Sequence, residues 1–230
     1  MGALYWMLND IWQAPSWSGL EYDGRWKMLH YTIKDVYQPV IVTSQYNYTT
    51  GDLQVWAVSD LWSPVKGTMN VTWFDWSGKV LSSTSSYVDV GAINATKAFD
   101  VDTNNLGFDL SNAVAKFEVD VQTSDSGEAR MYSHETWFHA IPLANQKMVD
   151  PKLSMTYDNA MEKFVVMAKA SVTAWIWLDH PAGVLANFDD NGFWLLPGQK
   201  KEVGFKVKSD STNGSWVKGV TVRSMWDNTQ

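Results

Sequence analysis

From Pro39 onward the chain alternates apolar and polar residues in short runs, the period of strands with one buried face. Such runs fall at 40–44, 53–58, 69–73, 79–83, 114–121 and 129–137, with turn signals at Thr50-Gly51-Asp52 and Trp76-Ser77-Gly78-Lys79 between them. A second set occupies 153–157, 163–168, 174–178, 193–196, 201–207 and 217–223. Two prolines, Pro142 and Pro151, with Asn145 and Lys147 between them, read as a linker separating the sets. Short, regularly spaced strands of this kind predict two antiparallel β-sandwiches.

The opening follows a different pattern. Residues 3–8 form a continuous apolar run, as in a strand buried on both faces. A loop with Trp12, Pro15, Trp17 and Gly19 follows, and then Trp26, Leu29, Ile33, Val36 and Tyr37 recur at helical spacing. Asp23 is a candidate N-cap and Pro39 a stop. Strand, loop and helix make one βα unit, which cannot bury its own faces and so reads as part of a larger fold.

With 45% hydrophobic and 14% aromatic residues, the chain has the material for real cores. A net charge of -7 carries no electrostatic footprint for nucleic acid or an anionic membrane, and neither is expected as a partner. Apolar runs stay far below the roughly 18 residues of a spanning helix. No charged segment followed by an apolar one opens the chain, so no signal peptide is visible. Without cysteine there are no disulfides, catalytic thiolates or Cys-ligated zinc. Asn47, Asn70, Asn94 and Asn213 each begin an Asn-x-Ser/Thr sequon, which favours a secreted glycoprotein, with a lysosomal one as the alternative.

Common catalytic signatures fail on spacing. His134-Glu135 and His139 suggest a zinc site, but histidines five apart on a strand face opposite sides. His30 reads as packing and His180 as a loop residue at a strand end. No phosphate loop, nucleophile elbow or dinucleotide motif is present, and no metal or cofactor is expected. Tryptophan is the informative residue, at 14 of 230 positions. Indoles fill cores, and they also stack on the apolar faces of sugar rings. Trp56 and Trp73, on alternating strands, read as core. Trp6, Trp12 and Trp17 lie just beyond the opening strand, where a barrel places ligand contacts. Asp10, Glu21 and Asp23 are the carboxylates nearest to them, and caps and loop solvation account for all three. Asp189-Asp190-Asn191-Gly192 reads as a turn.

Met1-Gly2-Ala3-Leu4-Tyr5-Trp6-Met7-Leu8-Asn9-Asp10-Ile11-Trp12-Gln13-Ala14-Pro15-Ser16-Trp17, continuing through Leu20-Glu21-Tyr22-Asp23-Gly24-Arg25-Trp26-Lys27-Met28-Leu29-His30-Tyr31, closely resembles the β-mannosidases of glycoside hydrolase family 2. Phe188-Asp189-Asp190-Asn191-Gly192-Phe193 and Leu195-Leu196-Pro197-Gly198 resemble that family's C-terminal immunoglobulin-like domain, and Asp35-Val36-Tyr37-Gln38-Pro39-Val40 looks like its secreted fungal members. The resemblance implies a mostly β chain: the last βα unit of a TIM barrel (1–38), an immunoglobulin-like antiparallel β-sandwich (39–144) and a C-terminal one (145–230). It implies a retaining, exo-acting enzyme that removes terminal β-D-mannose from manno-oligosaccharides. Its acid/base and nucleophile glutamates would lie on barrel strands outside this chain, since a whole barrel takes about 250 residues. Met1 would then be an internal residue.

Carried over by motif, Trp6 would wall the sugar subsite, and Asn9, Asp10 and Trp12 would shape the same pocket. The chain alone is expected to be inactive, with the N-terminal and barrel portion of the same enzyme as its partner; a homodimer is left open. The rival reading is a non-catalytic carbohydrate-binding module, which requires exposed tryptophans in a row on a sheet face. A structural or adhesive sandwich pair is a third, and it leaves the opening unit unexplained.

Overall fold

The computed structural model describes residues 4–13, 15–123 and 128–229. They form two compact units, one of residues 37–148 and one joining 1–36 to 149–230.

The middle unit is a sandwich of two antiparallel sheets. One has the order β1 (Val40–Tyr46), β2 (Asp52–Ser59), β5 (Asn94–Asp102). The other runs β4 (Val80–Val90), β3 (Val65–Asp75), β6 (Ala113–Thr123), β7 (Met131–Phe138). The alternation read from the sequence becomes the core: Leu53 and Val55 of one sheet and Met69, Trp73, Phe117 and Val119 of the other are buried in one cluster. Across the central ladder Trp73 pairs with Ala115 and Val71 with Phe117, so large residues sit beside smaller ones. Gly67 is required in β3, because a Cβ there would collide with the backbone of Asp120 and Val121.

The stretch read as a linker is tied into this unit. Trp76, fully buried, donates through Nε1 to Gln146 Oε1 (3.0 Å), and the Gln146 amide donates to the carbonyls of Leu110 and Ile141 (3.2 Å each). His134 is buried on β7 and accepts from the Val42 amide (3.1 Å), while His139 lies beyond the strand end with Nδ1 3.0 Å from the Ile141 carbonyl. No group of acidic or histidine side chains among the described residues could hold a metal ion.

The described residues of the other unit form eight short strands: β8 (Ser154–Asp158), β9 (Lys163–Met167), β10 (Thr173–Asp179), β11 (Val184–Phe188), β12 (Phe193–Leu195), β13 (Lys200–Val203), β14 (Phe205–Asp210) and β15 (Thr221–Arg223). They pair antiparallel as β13-β9-β8, β12-β10-β15 and β11-β14 around Phe164, Ile176, Leu178, Phe188 and Trp216. The segment 189–192, read as a turn, is a bend that leads from β11 into β12 with Gly192 at φ 74°. Its buried Asn191 accepts from the Leu178 amide (2.7 Å) and donates to the Leu178 carbonyl (2.9 Å).

Against these strands lies helix α1 (Met28–Val36). Buried Tyr31 donates to the Phe188 carbonyl (3.2 Å) and sets its ring edge-on to Trp177 at 5.6 Å. Lys34 donates to the Asp189 carbonyl (2.6 Å), and Arg25 pairs with Asp179 at 3.1 Å. Gly192, at φ 74°, leaves room for the Met28 sulfur, which any Cβ would strike.

Three expectations are corrected here. Residues 4–8 form no strand, and Leu4, Trp6 and Leu8 are exposed; Ala3 lies outside the described residues. A strand needs a neighbour's ladder, and among the described residues the pairing nearest this stretch is an isolated parallel bridge from Asn9 to Leu20. The βα unit expected for 1–38 is therefore not seen, and helix α1 is the regular element found among the described residues there. Asp23 is not the helix cap: it accepts from the Arg25 amide (3.0 Å) in a turn ahead of α1.

Candidate functional site

The segment from Trp6 to Lys27 is held by its own hydrogen bonds. The Gly19 and Leu20 amides donate to the Leu8 carbonyl (3.1 and 2.9 Å), the Asp10 amide to Leu20 (3.0 Å), and the Lys27 amide to Gly19 (3.0 Å). Gly19 is buried in this crossing; a Cβ there would sit 3.4–3.5 Å from the Leu8 carbonyl, the His30 ring and the Tyr5 hydroxyl. The Trp6–Met7 peptide bond is cis.

At its centre is Asp10, 5% exposed. One carboxylate oxygen accepts from Lys27 Nζ (2.8 Å) and the other from the Ser16 hydroxyl. Lys27 Nζ also donates to Ser18 Oγ (2.8 Å), whose hydroxyl donates to the Leu20 carbonyl (2.8 Å). The hydrogen bond from Lys27, then that from Ser16, holds the Asp10 carboxyl below its ordinary range. A depressed, ion-paired carboxylate is a poor general acid. Glu21 stands 3.9 Å from the same ammonium. Nearby His30 packs 4.7 Å from Trp26, and its burial lowers its basicity.

Around this anchor the indoles face outward. Trp6, Trp12 and Trp17 are 75%, 65% and 72% exposed, and Asn9 is exposed beside them, its amide donating to the Asp10 carbonyl (2.9 Å). A shallow depression of about 470 Å³ is lined by Gln13, Pro15, Ser16, Glu21 and Lys27. Of the predicted site residues, Trp6, Asn9 and Trp12 are exposed but do not line this depression, and Asp10 is turned inward. The sequence reading missed Lys27, Ser16 and Ser18. Lys27 lies 17 residues from Asp10, a spacing no local rule pairs.

Ten tryptophans lie beyond residue 38. Among them Trp62 alone is classed as exposed, at 86%; Trp73, Trp76, Trp194 and Trp216 are buried and the other five are intermediate. Among the described residues no sheet face carries a row of exposed indoles. Of the sequons, Asn47, Asn94 and Asn213 are exposed, and Asn70 is half-buried in the middle of β3.

Comparison with known proteins defines the class. Residues 51–140 match the mannosidase Ig/CBM-like domain, and residues 148–228 match the Ig-fold domain of mannosidases. Each compact unit thus resembles an immunoglobulin-like domain described for mannosidases. Over its whole length it is homologous to fungal β-mannosidases. It is 45% identical to β-mannosidase A of Aspergillus oryzae, with all of this chain and 26% of that protein aligned. To β-mannosidase A of Aspergillus niger it is 42% identical over 99% of the chain and 25% of the relative. The chain thus spans about a quarter of the length of these relatives. Its fold is shared with the β-D-mannosidase of Dictyoglomus thermophilum (TM-score 0.67, 15% identity, 95% of this chain and 25% of that one). An exo-chitosanase of Amycolatopsis orientalis shares it too (TM-score 0.60, 15% identity, 96% and 29%).

Proposed function

We propose that this chain is the C-terminal portion of a retaining, exo-acting β-mannosidase that releases terminal non-reducing β-D-mannose from manno-oligosaccharides. In this reading residues 1–38 complete a TIM barrel whose other strands carry both catalytic glutamates. The stretch 4–8 finds its ladder there, and the two sandwiches brace the barrel. Trp6 is the apolar wall of the sugar subsite, with Asn9 and Trp12 beside it. Asp10 holds their loop through Lys27 and Ser16 and does not touch sugar. The enzyme is secreted and glycosylated at its sequons.

One observation carries the reading: an exposed run of indoles on a segment pinned from below by a buried ion pair, in a chain homologous throughout to β-mannosidases. Several large apolar side chains exposed on one short segment support an interaction site. The purified chain is expected to release nothing from a chromogenic β-mannoside; saturable turnover would overturn the assignment of catalysis to residues outside it. In the whole enzyme, Trp6→Ala is expected to cut kcat/KM at least tenfold, with an unchanged value counting against the subsite. The carbohydrate-binding-module reading is weakened by the distribution of the indoles, since Trp62 stands without an exposed tryptophan beside it on a sheet face.

A further inference from the structure

The sandwich of the unit that contains residues 149–230 is open along one side. A groove of about 730 Å³ runs there, lined by residues of β8, β9, β14 and the short 3-10 turn Ser215–Gly219. Its floor is core: Trp216 is buried, Phe205 meets it edge-on at 4.9 Å, and Tyr157 stands 6.3 Å from Phe205. Tyr157 and Phe205 keep part of their rings at the surface. Asn159, Glu162 and Lys218 stand along the rim. Among the described residues the groove is flanked by two strand edges with no further strand on them, since β8 pairs with β9 and β14 with β11. An apolar cleft between unpaired edges invites association with another chain unless something hydrophilic covers it.

The covering group is indicated by the chain itself. Gly214 lines the groove, and it is the middle residue of the sequon Asn213-Gly214-Ser215. Asn213 is exposed at the tip of the turn after β14, at φ 53°, and the Asp210 carboxylate fixes that turn by accepting from the Thr212 and Gly214 amides (2.7 and 2.8 Å). Space beside Gly214 is open, because a Cβ built there meets nothing within 4 Å. A sugar attached at Asn213 starts within one residue of the groove's lip. Pyranose rings have an apolar C–H face that suits Tyr157 and Phe205 and hydroxyls that suit an amide, a carboxylate and an ammonium.

We infer that an N-linked glycan on Asn213 lies in this groove, its first sugars stacked on Tyr157 and Phe205, and closes the open side of the sandwich. The inference rests on the proposed reading of the chain as a secreted glycoprotein. To test it, the full chain and its Ser215→Ala variant are each made in a eukaryotic secretory host and in bacteria. Glycopeptide mass spectrometry reads occupancy, and calorimetry reads Tm. The bacterial pair isolates the loss of the Ser215 hydrogen bond to the Thr212 carbonyl.

The expected result is occupancy at Asn213, and a Tm drop from Ser215→Ala several degrees larger in the glycosylated pair. Nuclear Overhauser contacts from the first N-acetylglucosamine to the Phe205 ring should appear as well. Equal Tm drops in both hosts, or a vacant Asn213 with Asn47 and Asn94 occupied, would overturn the groove assignment alone. Vacancy at all four sequons would sink the glycoprotein reading with it.

Discussion

Asp10 shows how one residue turns a loop into a platform. Its buried carboxylate is matched by Lys27 and Ser16, so removing either partner leaves a polar group without its match in a confined place. Asp10→Ala is expected to free the segment that carries Trp6, Trp12 and Trp17, seen as faster hydrogen exchange of the Leu20 and Lys27 amides. Because hydrogen bonds from Lys27 and Ser16 depress the Asp10 pKa, the stabilisation is present above the ordinary aspartate value of 3.8 and is lost as pH falls below it. An acid titration of tryptophan fluorescence should show this transition in the native chain and lose it in Asp10→Asn. Tyr31 works with the opposite sign. Burial pushes its hydroxyl well above the ordinary value of 10.0, so the protonated form is favoured on folding. Its contribution is intact below pH 10 and is lost as pH rises beyond it. Tyr31→Phe should cost about 1 kcal/mol at neutral pH, for the hydrogen bond to the Phe188 carbonyl, and should flatten the alkaline melt.

Among the elements, alternation was the most legible signal where one face is buried. β1, β2, β3, β6 and β7 form around the apolar runs that announce them. β5 was missed because an edge strand of sequence Asn-Ala-Thr-Lys-Ala-Phe-Asp-Val-Asp buries too little to need alternation. β11 was missed because its five residues include a buried polar one, Asn187. The run 201–207 divides into β13 and β14 at Gly204, where the Gly204 carbonyl accepts from the Asp189 amide (2.9 Å) and a Cβ would press on the Asp189 carboxylate. The start of the run 217–223 is a 3-10 turn, with only Thr221–Arg223 extended. The two compact units meet at 148/149, inside the stretch read as a linker, but nothing local reveals that its Gln146 will bond a tryptophan 70 residues away. Gln146→Ala removes that bond and two to backbone carbonyls, and should destabilise the middle unit by about 1–3 kcal/mol in urea melts. The tryptophan cluster was legible as a surface feature, but its anchor was not, since Lys27 gives no sign of its partner until the chain crosses itself at Gly19.

For the whole molecule, the consequence is two cores in one chain. Trp73 and Phe117 belong to one cluster and Phe164 and Trp216 to the other. The second core does not stand on the later residues alone, because α1 is fastened to it by Tyr31 and Lys34 and the segment before α1 by Arg25, and the two compact units are accordingly 37–148 and the joined ends. Each cluster has the burial that makes a cooperative transition, so calorimetry should resolve two. Trp73→Ala is expected to remove about 3–5 kcal/mol from the middle unit and to lower one transition, leaving the other in place. Phe164→Ala should do the converse by a similar amount. Met28→Lys then decides where α1 belongs. A lysine opposite Gly192 cannot fill the space of the thioether, so the transition sensitive to Phe164→Ala should fall and the one sensitive to Trp73→Ala should hold. If Met28→Lys lowered neither transition, α1 would not be part of the core it touches, and the pinned segment before it would lose the footing that keeps Trp6 in place.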